Sequence, residues 1–191
     1  MKRLILAAAA AFVVCSTPAR AIDIEGFRFD DTVRLGNSDL VANGVGIRSK
    51  FGKRYAMALY LPAKTGDAKA AIAARGPKRI AIQLIRDVDG DTFASAVSKG
   101  IANNSSDAEQ AALKERIRQL SDTVIALGEI KARSSIVFDW LPERGTVLLV
   151  NGQQKGREIP GDDFHAALLR VWLGNDPVQS DLKQELLGKT N

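Results

Sequence analysis

The sequence runs to 191 residues, 26% of them charged and 46% hydrophobic, with a formal net charge of +5. It holds one cysteine, Cys15, and one histidine, His165. An intrachain disulfide, a cysteine zinc or haem motif and a multi-histidine metal site are therefore excluded, and neither a metal nor a cofactor is expected.

Residues 1–21 have the order of a secretory signal peptide. Lys2 and Arg3 lead, and an unbroken apolar run follows from Leu4 to Cys15. Ser16, Thr17 and Pro18 break the run, and Ala19-Arg20-Ala21 supplies a small-x-small cleavage pattern. The run is too short for a spanning helix, which needs roughly 20 apolar residues, so no stable membrane anchor is expected after cleavage. A lipid-attachment cysteine wants glycine or alanine before it, and Val14 stands there instead. No twin arginine is present, which favours the general secretory route. Cleavage after Ala21 removes three cations and the cysteine. It leaves 24 basic against 22 acidic residues, a net charge of +2, too small and scattered an excess for a nucleic-acid footprint. Residues 22–191 then read as one domain with a sizeable core and no disulfide, free of repeats and long linkers.

Along that domain, residues 22–29 read as a first strand and 40–47 as a glycine-punctuated one. Residues 54–61 alternate: Tyr55, Met57, Leu59 and Leu61 share one face, and Ala56, Ala58 and Tyr60 the other. Asp67 caps a short alanine-rich helix that stops by Gly76-Pro77. Residues 78–88 form a strand with Ile80, Ile82 and Leu84 on one side. Asp91 is the expected cap of a helix that turns Phe93, Ala96, Val97, Gly100 and Ile101 inward. Ser106 with Glu109 is a capping box opening a helix with Leu113, Ile117 and Leu120 inward.

Strands return at 135–141 and 146–151 around the Glu143-Arg144-Gly145 turn, and Asn151-Gly152 is a hairpin signal leading to 155–159. One closing helix carries Phe164, Ala167, Leu168, Val171 and Trp172 on a stripe, with Trp172 a core anchor, and ends at Gly174. Another starts at Asp176-Pro177 with Gln179 completing its cap, buries Val178, Leu182 and Leu186, and stops at Gly188. Grouped rather than alternating elements argue for an α+β domain, an antiparallel sheet with helices on one side.

Three motifs fail on inspection. Asp87-Val-Asp89-Gly-Asp91 resembles the start of a calcium loop, but Thr92 and Ser98 stand where glycine and glutamate are required. It reads as a strand end and a helix cap. Gly44-Val-Gly46 is half a dinucleotide fingerprint with Ser49 in place of the third glycine. His165 follows Phe164 on an amphipathic helix and reads as a solvated surface histidine, not as the base of a triad. The basic run Arg48, Lys50, Lys53, Arg54 reads as the solvated rim of a strand, with Arg48 set apart for the reason below.

Several stretches, in this order, cover nearly all of residues 22–191 and resemble the chalcone isomerase-like family, its exported bacterial branch in particular. They are Asn43-Gly-Val-Gly-Ile-Arg48, Tyr55-Ala-Met-Ala-Leu-Tyr-Leu-Pro62, Gly76-Pro-Lys-Arg-Ile80, Val150-Asn-Gly152 and the tail. In the tail stand Ile159-Pro-Gly161, Phe164, Leu169, Trp172-Leu-Gly174, Pro177, Leu182-Lys183 and Leu186-Leu-Gly188. The resemblance implies an open-faced β-sandwich, with a cleft between a large antiparallel sheet and its helices, and a periplasmic home.

The family's plant enzymes close a chalcone to a flavanone by intramolecular attack of a phenolate. They use an arginine after the Gly-x-Gly stretch, a threonine on the next strand, and a tyrosine and an asparagine on the following helix. Carried over by position, Arg48 stands for the arginine. Tyr55 replaces the threonine, and Phe93 and Gly100 replace the helix pair. Gly161 or Asp162 stands near a further hydroxyl position. Phe93 has no hydroxyl and Gly100 no amide, so most of the donors for a developing enolate are missing.

The expected ligand-binding residues are Arg48, Tyr55 and Phe93, with no catalytic residue. The leading expectation is a non-catalytic protein that binds a small amphipathic or aromatic anion, such as a fatty acid, with Arg48 as its anchor. The alternatives are an intramolecular lyase or isomerase on a chalcone-like or enone substrate, with Tyr55 or Tyr60 supplying the missing hydroxyls, and a scaffold with a vestigial cleft. The competing reading of Arg48 is a surface arginine paired with an acid from a neighbouring loop.

Overall fold

The computed structural model describes residues 21–189; the proposed signal peptide falls, but for Ala21, outside the described residues. The first strand expected at 22–29 is a hairpin of two, β1 (Ala21–Ile24) and β2 (Phe27–Asp30). Glu25 and Gly26 both take left-handed backbone at φ 52° and 73°, and two such residues make the tight turn that suits hairpin twist.

A seven-stranded antiparallel sheet follows. It is built from β3 (Thr32–Leu35), β4 (Ser38–Ser49), β5 (Lys53–Leu61), β6 (Lys78–Leu84), β9 (Ser135–Leu141), β10 (Gly145–Val150) and β11 (Gln153–Ile159), in the order β11-β10-β9-β6-β5-β4-β3. The strand expected at 78–88 ends at Leu84. Val88–Asp89 (β7) pairs separately with Glu129–Ile130 (β8).

The alternation along β5 divides the interior. Met57, Leu59 and Leu61, with Ile80, Ile82 and Leu84 of β6, join the main core beneath the helices. Ala56, Ala58, Tyr60 and Ala81 face the other way, where Ile22, Ile24, Phe27 and Phe29 of the β1–β2 hairpin cover them. Each sheet face thus has its own apolar lid, as period-two patterning requires. Helices α1 (Ala68–Ala73), α2 (Gly90–Asn103), α3 (Asp107–Ile125), α4 (Asp162–Leu173) and α5 (Ser180–Leu186) pack on the main-core face. No helix among the described residues is long and apolar enough to cross a membrane.

Asp67 caps α1, accepting from the Ala70 amide, and Ser106 with Glu109 forms a reciprocal capping box at α3. The cap of α2 is Asp89, not Asp91: its carboxylate accepts from the Thr92 amide at 3.2 Å. Asp91 lies in the first helical turn, where a negative charge suits the helix dipole. Asp87 accepts from the Ala132 amide at 2.7 Å and from Lys131, so the calcium-like run serves as strand end and cap.

Helix α4 is buried nearly all round, with Phe164, Leu168 and Trp172 among the most enclosed side chains. This overturns the expectation of a solvated His165. The imidazole is 1% exposed, stacks on Trp140 with ring centroids 5.5 Å apart, and bonds Thr146 Oγ1 through Nδ1 at 3.1 Å. Strands β9 and β10 cover the helix face that looked free in sequence. Burial, helped by the charge of Lys78, pushes the imidazole pKa down to about 3.

Helix α5 starts at Ser180, later than expected, and Gln179 gives its end no side-chain cap. The helix lies hard against β4. A Cβ on Gly44 would sit 2.1 Å from the Glu185 carbonyl oxygen, and one on Gly46 2.1 Å from the Glu185 carboxylate. Gly44-Val-Gly46 is therefore a helix seat. Gly100 does the same between α2 and α4, where a Cβ would meet Val171 Cγ1 at 2.7 Å.

Two outcomes follow from these contacts. Gly44→Ala should lower stability by about 1–3 kcal/mol, the usual cost of overpacking, and a urea midpoint equal to wild type would show that α5 yields freely. His165 is neutral when folded and ionises near 6.5 when unfolded. Its stabilising contribution is thus fully present above pH 6.5 and is lost as the pH falls below it, by up to about 1.4 kcal/mol per unit. Urea midpoints between pH 6.5 and 5 should fall in the wild type and flatten in His165→Gln; parallel profiles would remove His165 as the cause.

Candidate functional site

Antiparallel register sets the site. Arg48 of β4 lies directly opposite Tyr55 of β5, and side chains of directly opposed residues share a sheet face. That face is the one beneath the helices, since Tyr55 packs against the main core. Helix α4 brings Trp172 to the same place, and its indole Nε1 donates to the Tyr55 hydroxyl at 2.9 Å.

An indole can only donate, so the Tyr55 oxygen is the acceptor. Among the described residues the tyrosine's own proton has no acceptor. Burial raises the Tyr55 pKa to about 12, with the Trp172 bond and the Arg48 charge opposing the rise. The phenol therefore stays protonated near neutral pH and remains a donor.

Arg48 is half-buried. Its guanidinium donates to the Ser49 carbonyl and, at 3.1 Å, to Gln179 Oε1. The same Gln179 oxygen accepts from the Ser49 amide at 2.8 Å, and Gln179 Nε2 donates to the Ile47 carbonyl at 3.3 Å. Glu185 Oε2 accepts from the Ile47 amide at 3.0 Å. So α5 and the residue before it clamp the end of β4 and aim the arginine. No carboxylate among the described residues pairs with Arg48, which goes against the competing reading of a surface ion pair.

These groups open onto a cavity of about 300 Å³, at the small end for ligand sites. Leu84 of β6, Phe93 and Val97 of α2, Val171 and Trp172 of α4, and Val178 form its apolar wall. Arg48, Lys50, Arg54 and Arg86 make its polar part basic, and the one acid there, Asp87, is engaged by Lys131 and the Ala132 amide.

The three expected residues, Arg48, Tyr55 and Phe93, thus line one cavity, with Phe93 contributing a nearly buried ring. Sequence reasoning missed Arg54, Arg86, Val178 and the second role of Trp172. Arg54 stood in the basic run read as a solvated rim. Val178, expected to be buried with α5, is half-buried at the cavity. The Trp172–Tyr55 bond spans 117 residues, and no local pattern announces it. Ala96, expected inward, is exposed and also lines the cavity.

The arrangement can hold one oxyanion by a guanidinium and a phenol and enclose an apolar body behind it. The hydroxyls lining the cavity are those of Tyr55 and Thr92, and no thiol or imidazole lines it. No cluster of acidic, histidine or cysteine side chains suited to a metal occurs among the described residues.

No curated protein sequence matches this chain. Among solved structures, the crystal structure of the Arabidopsis thaliana fatty-acid binding protein AtFAP1 is similar, with a TM-score of 0.68 at 14% identity. The match covers 88% of this chain and 96% of that one and establishes a common fold. The family model described as Chalcone isomerase-like matches residues 21–188, the whole of the sheet and all five helices described above. The chain belongs to the chalcone isomerase-like family.

Proposed function

We propose that the protein binds a small amphipathic anion, a fatty acid foremost, and does not catalyse. One observation carries the reading: Arg48 and Tyr55, opposed across β4 and β5, present cationic and phenolic donors without an internal carboxylate at a cavity with one apolar wall and a basic rim. A carboxylate supplies the missing acceptor, and its chain takes the wall of Leu84, Phe93, Val97 and Val171. The similar AtFAP1 is named as a fatty-acid binding protein, in keeping with this ligand class.

The lyase or isomerase alternative fares worse on geometry. Phe93 offers no hydroxyl, and Gly100 packs so closely on Val171 that a Cβ would lie 2.7 Å from Cγ1. An amide side chain has no room there. Enolate donors of the kind the plant enzymes use are absent from both positions, at about 2.7–4 kcal/mol for each donor lost.

Titration with a medium-chain fatty acid tests the proposal. Arg48→Ala and Tyr55→Phe should each weaken binding by ~1.5–3 kcal/mol, the worth of a hydrogen bond to a charged group. Equal affinity in wild type and both variants would remove the pair from the site. Flavanone formation by the wild type well above the spontaneous rate would overturn the non-catalytic reading.

We further propose export. Residues 1–21 act as a cleaved signal, and residues 22–191 work as one domain in the periplasm, as the exported bacterial branch would have it. Scission after Ala21 keeps Ile22 and Ile24, which pack on the outer apolar cluster. N-terminal sequencing of the exported protein should begin at Ile22; an intact Met1 or a lipid on Cys15 would refute it.

A further inference from the structure

The turn joining β4 to β5 carries a side chain that the fold does not use. Ser49 pairs with Lys53, so Lys50, Phe51 and Gly52 form the tip. Phe51 is 89% exposed, the most exposed large hydrophobic among the described residues. Its φ of 54° lies in the left-handed region, which strains a bulky L-residue. Glycine or asparagine would hold such a turn better. Neither burial nor turn geometry accounts for a phenylalanine at this place.

The surroundings of the tip are cationic. Arg48, Lys50, Arg54 and Arg86 line the cavity beside it, and none of the four forms a salt bridge among the described residues. A Cβ on Gly52 would lie 2.9 Å from Arg86 Nη2, so that guanidinium rests against the turn itself. Arg54 Nε donates to the Lys50 carbonyl at 2.9 Å, which ties a second guanidinium to the tip. Lys53 alone is neutralised, by Glu25 at 2.6 Å.

We propose that this turn docks on an anionic phospholipid bilayer. Phe51 enters the boundary between headgroups and acyl chains, and Lys50, Arg54 and Arg86 meet lipid phosphates. An aromatic ring set among lysines and arginines is what a membrane interface binds. A single projecting ring offers far less than the ~1,000 Å² that a specific protein contact requires, whereas a bilayer needs no complementary surface. The tip is continuous with the cavity through Lys50 and Arg54, so docking sets the cavity mouth against the phase where amphipathic anions collect. Docking itself does not require an occupied cavity and stands apart from the ligand proposal.

The test compares variants of the same chain, so that any contribution of residues 1–21 is common to all. Phe51→Trp provides a reporter, since Trp140 and Trp172 are buried. With vesicles of equal parts phosphatidylcholine and phosphatidylglycerol, its emission should shift to the blue and be quenched by brominated acyl chains. Pure phosphatidylcholine vesicles should give neither effect, and added salt should reverse both. In co-sedimentation, Phe51→Ser should weaken vesicle binding about tenfold and Lys50→Glu at least fivefold. Phe51→Ser should keep wild-type affinity for fatty acid measured without vesicles, because Phe51 does not line the cavity. Unchanged emission of Phe51→Trp on anionic vesicles, or equal vesicle binding by wild type and Phe51→Ser, would overturn the proposal. Loss of fatty-acid binding with docking intact would instead count against the ligand reading alone.

Discussion

The site depends on how closely α5 approaches β4. Gly44 and Gly46 have no side chain to hold the helix away, and any Cβ there would stand 2.1 Å from Glu185 atoms. The approach puts the Glu185 carboxylate on the Ile47 amide and the Gln179 amide on Ile47, Arg48 and Ser49. Arg48 sits at a register shift between Arg48 and Ser49, where the regular ladder is interrupted. The Gln179 amide replaces the lost ladder contacts with side-chain ones. A guanidinium on a flexible stem loses much rotamer freedom when fixed. Here the protein has met that cost before a ligand arrives, which is preorganisation in the sense that matters for affinity.

A second constraint concerns which polar groups the cavity leaves open. Buried donors are normally satisfied inside the protein, and most here are: Trp172 on Tyr55, Lys78 on two carbonyls of α1 and the chain just after it, Asn43 on the Thr65 and Leu186 carbonyls. Arg48 and Tyr55, which meet across one rung of the sheet, have no internal carboxylate. Arg79, by contrast, has its carboxylate in Asp139 through two short bonds on the opposite face. The contrast lies in the partner and not in the residue type: two arginines on the strands that flank β5, one closed by an acid and one left facing a cavity.

The sequence was most legible where one short-range rule decided the outcome. Alternation along β5 foretold both faces of the sheet, because each face is covered by a different apolar cluster. Ser106 and Glu109, three residues apart, foretold their own reciprocal bonds. It was least legible where coverage came from far along the chain. His165 looked solvated because its helix offered no local reason to bury it, and Trp140 and Thr146 of other strands enclose it. Likewise, Gly44-Val-Gly46 suggests a phosphate loop or nothing until α5, some 140 residues later, is seen resting on it. Of the site, Arg48, Tyr55 and Phe93 came from family resemblance, whereas the Trp172 bond that fixes the role of Tyr55 came only from the fold.

The same geometry separates binding from catalysis. Holding a carboxylate or phenolate needs one cation and one donor placed at the ground-state oxygen, and Arg48 with Tyr55 meets that need. Ring closure needs more, because charge moves during the reaction and only contacts that strengthen at the new position lower the barrier. By family resemblance the places for such donors fall at Phe93 and Gly100, and both residues serve packing: Phe93 walls the cavity, and Gly100 lets α2 cross α4 against Val171. Restoring an amide at position 100 would force the two helices apart, so the missing donor cannot be supplied by one substitution without disturbing the core that shapes the cavity. The tight crossing of α2 and α4 that shapes the cavity wall thus leaves no room at position 100 for the amide that the family's enzymes carry.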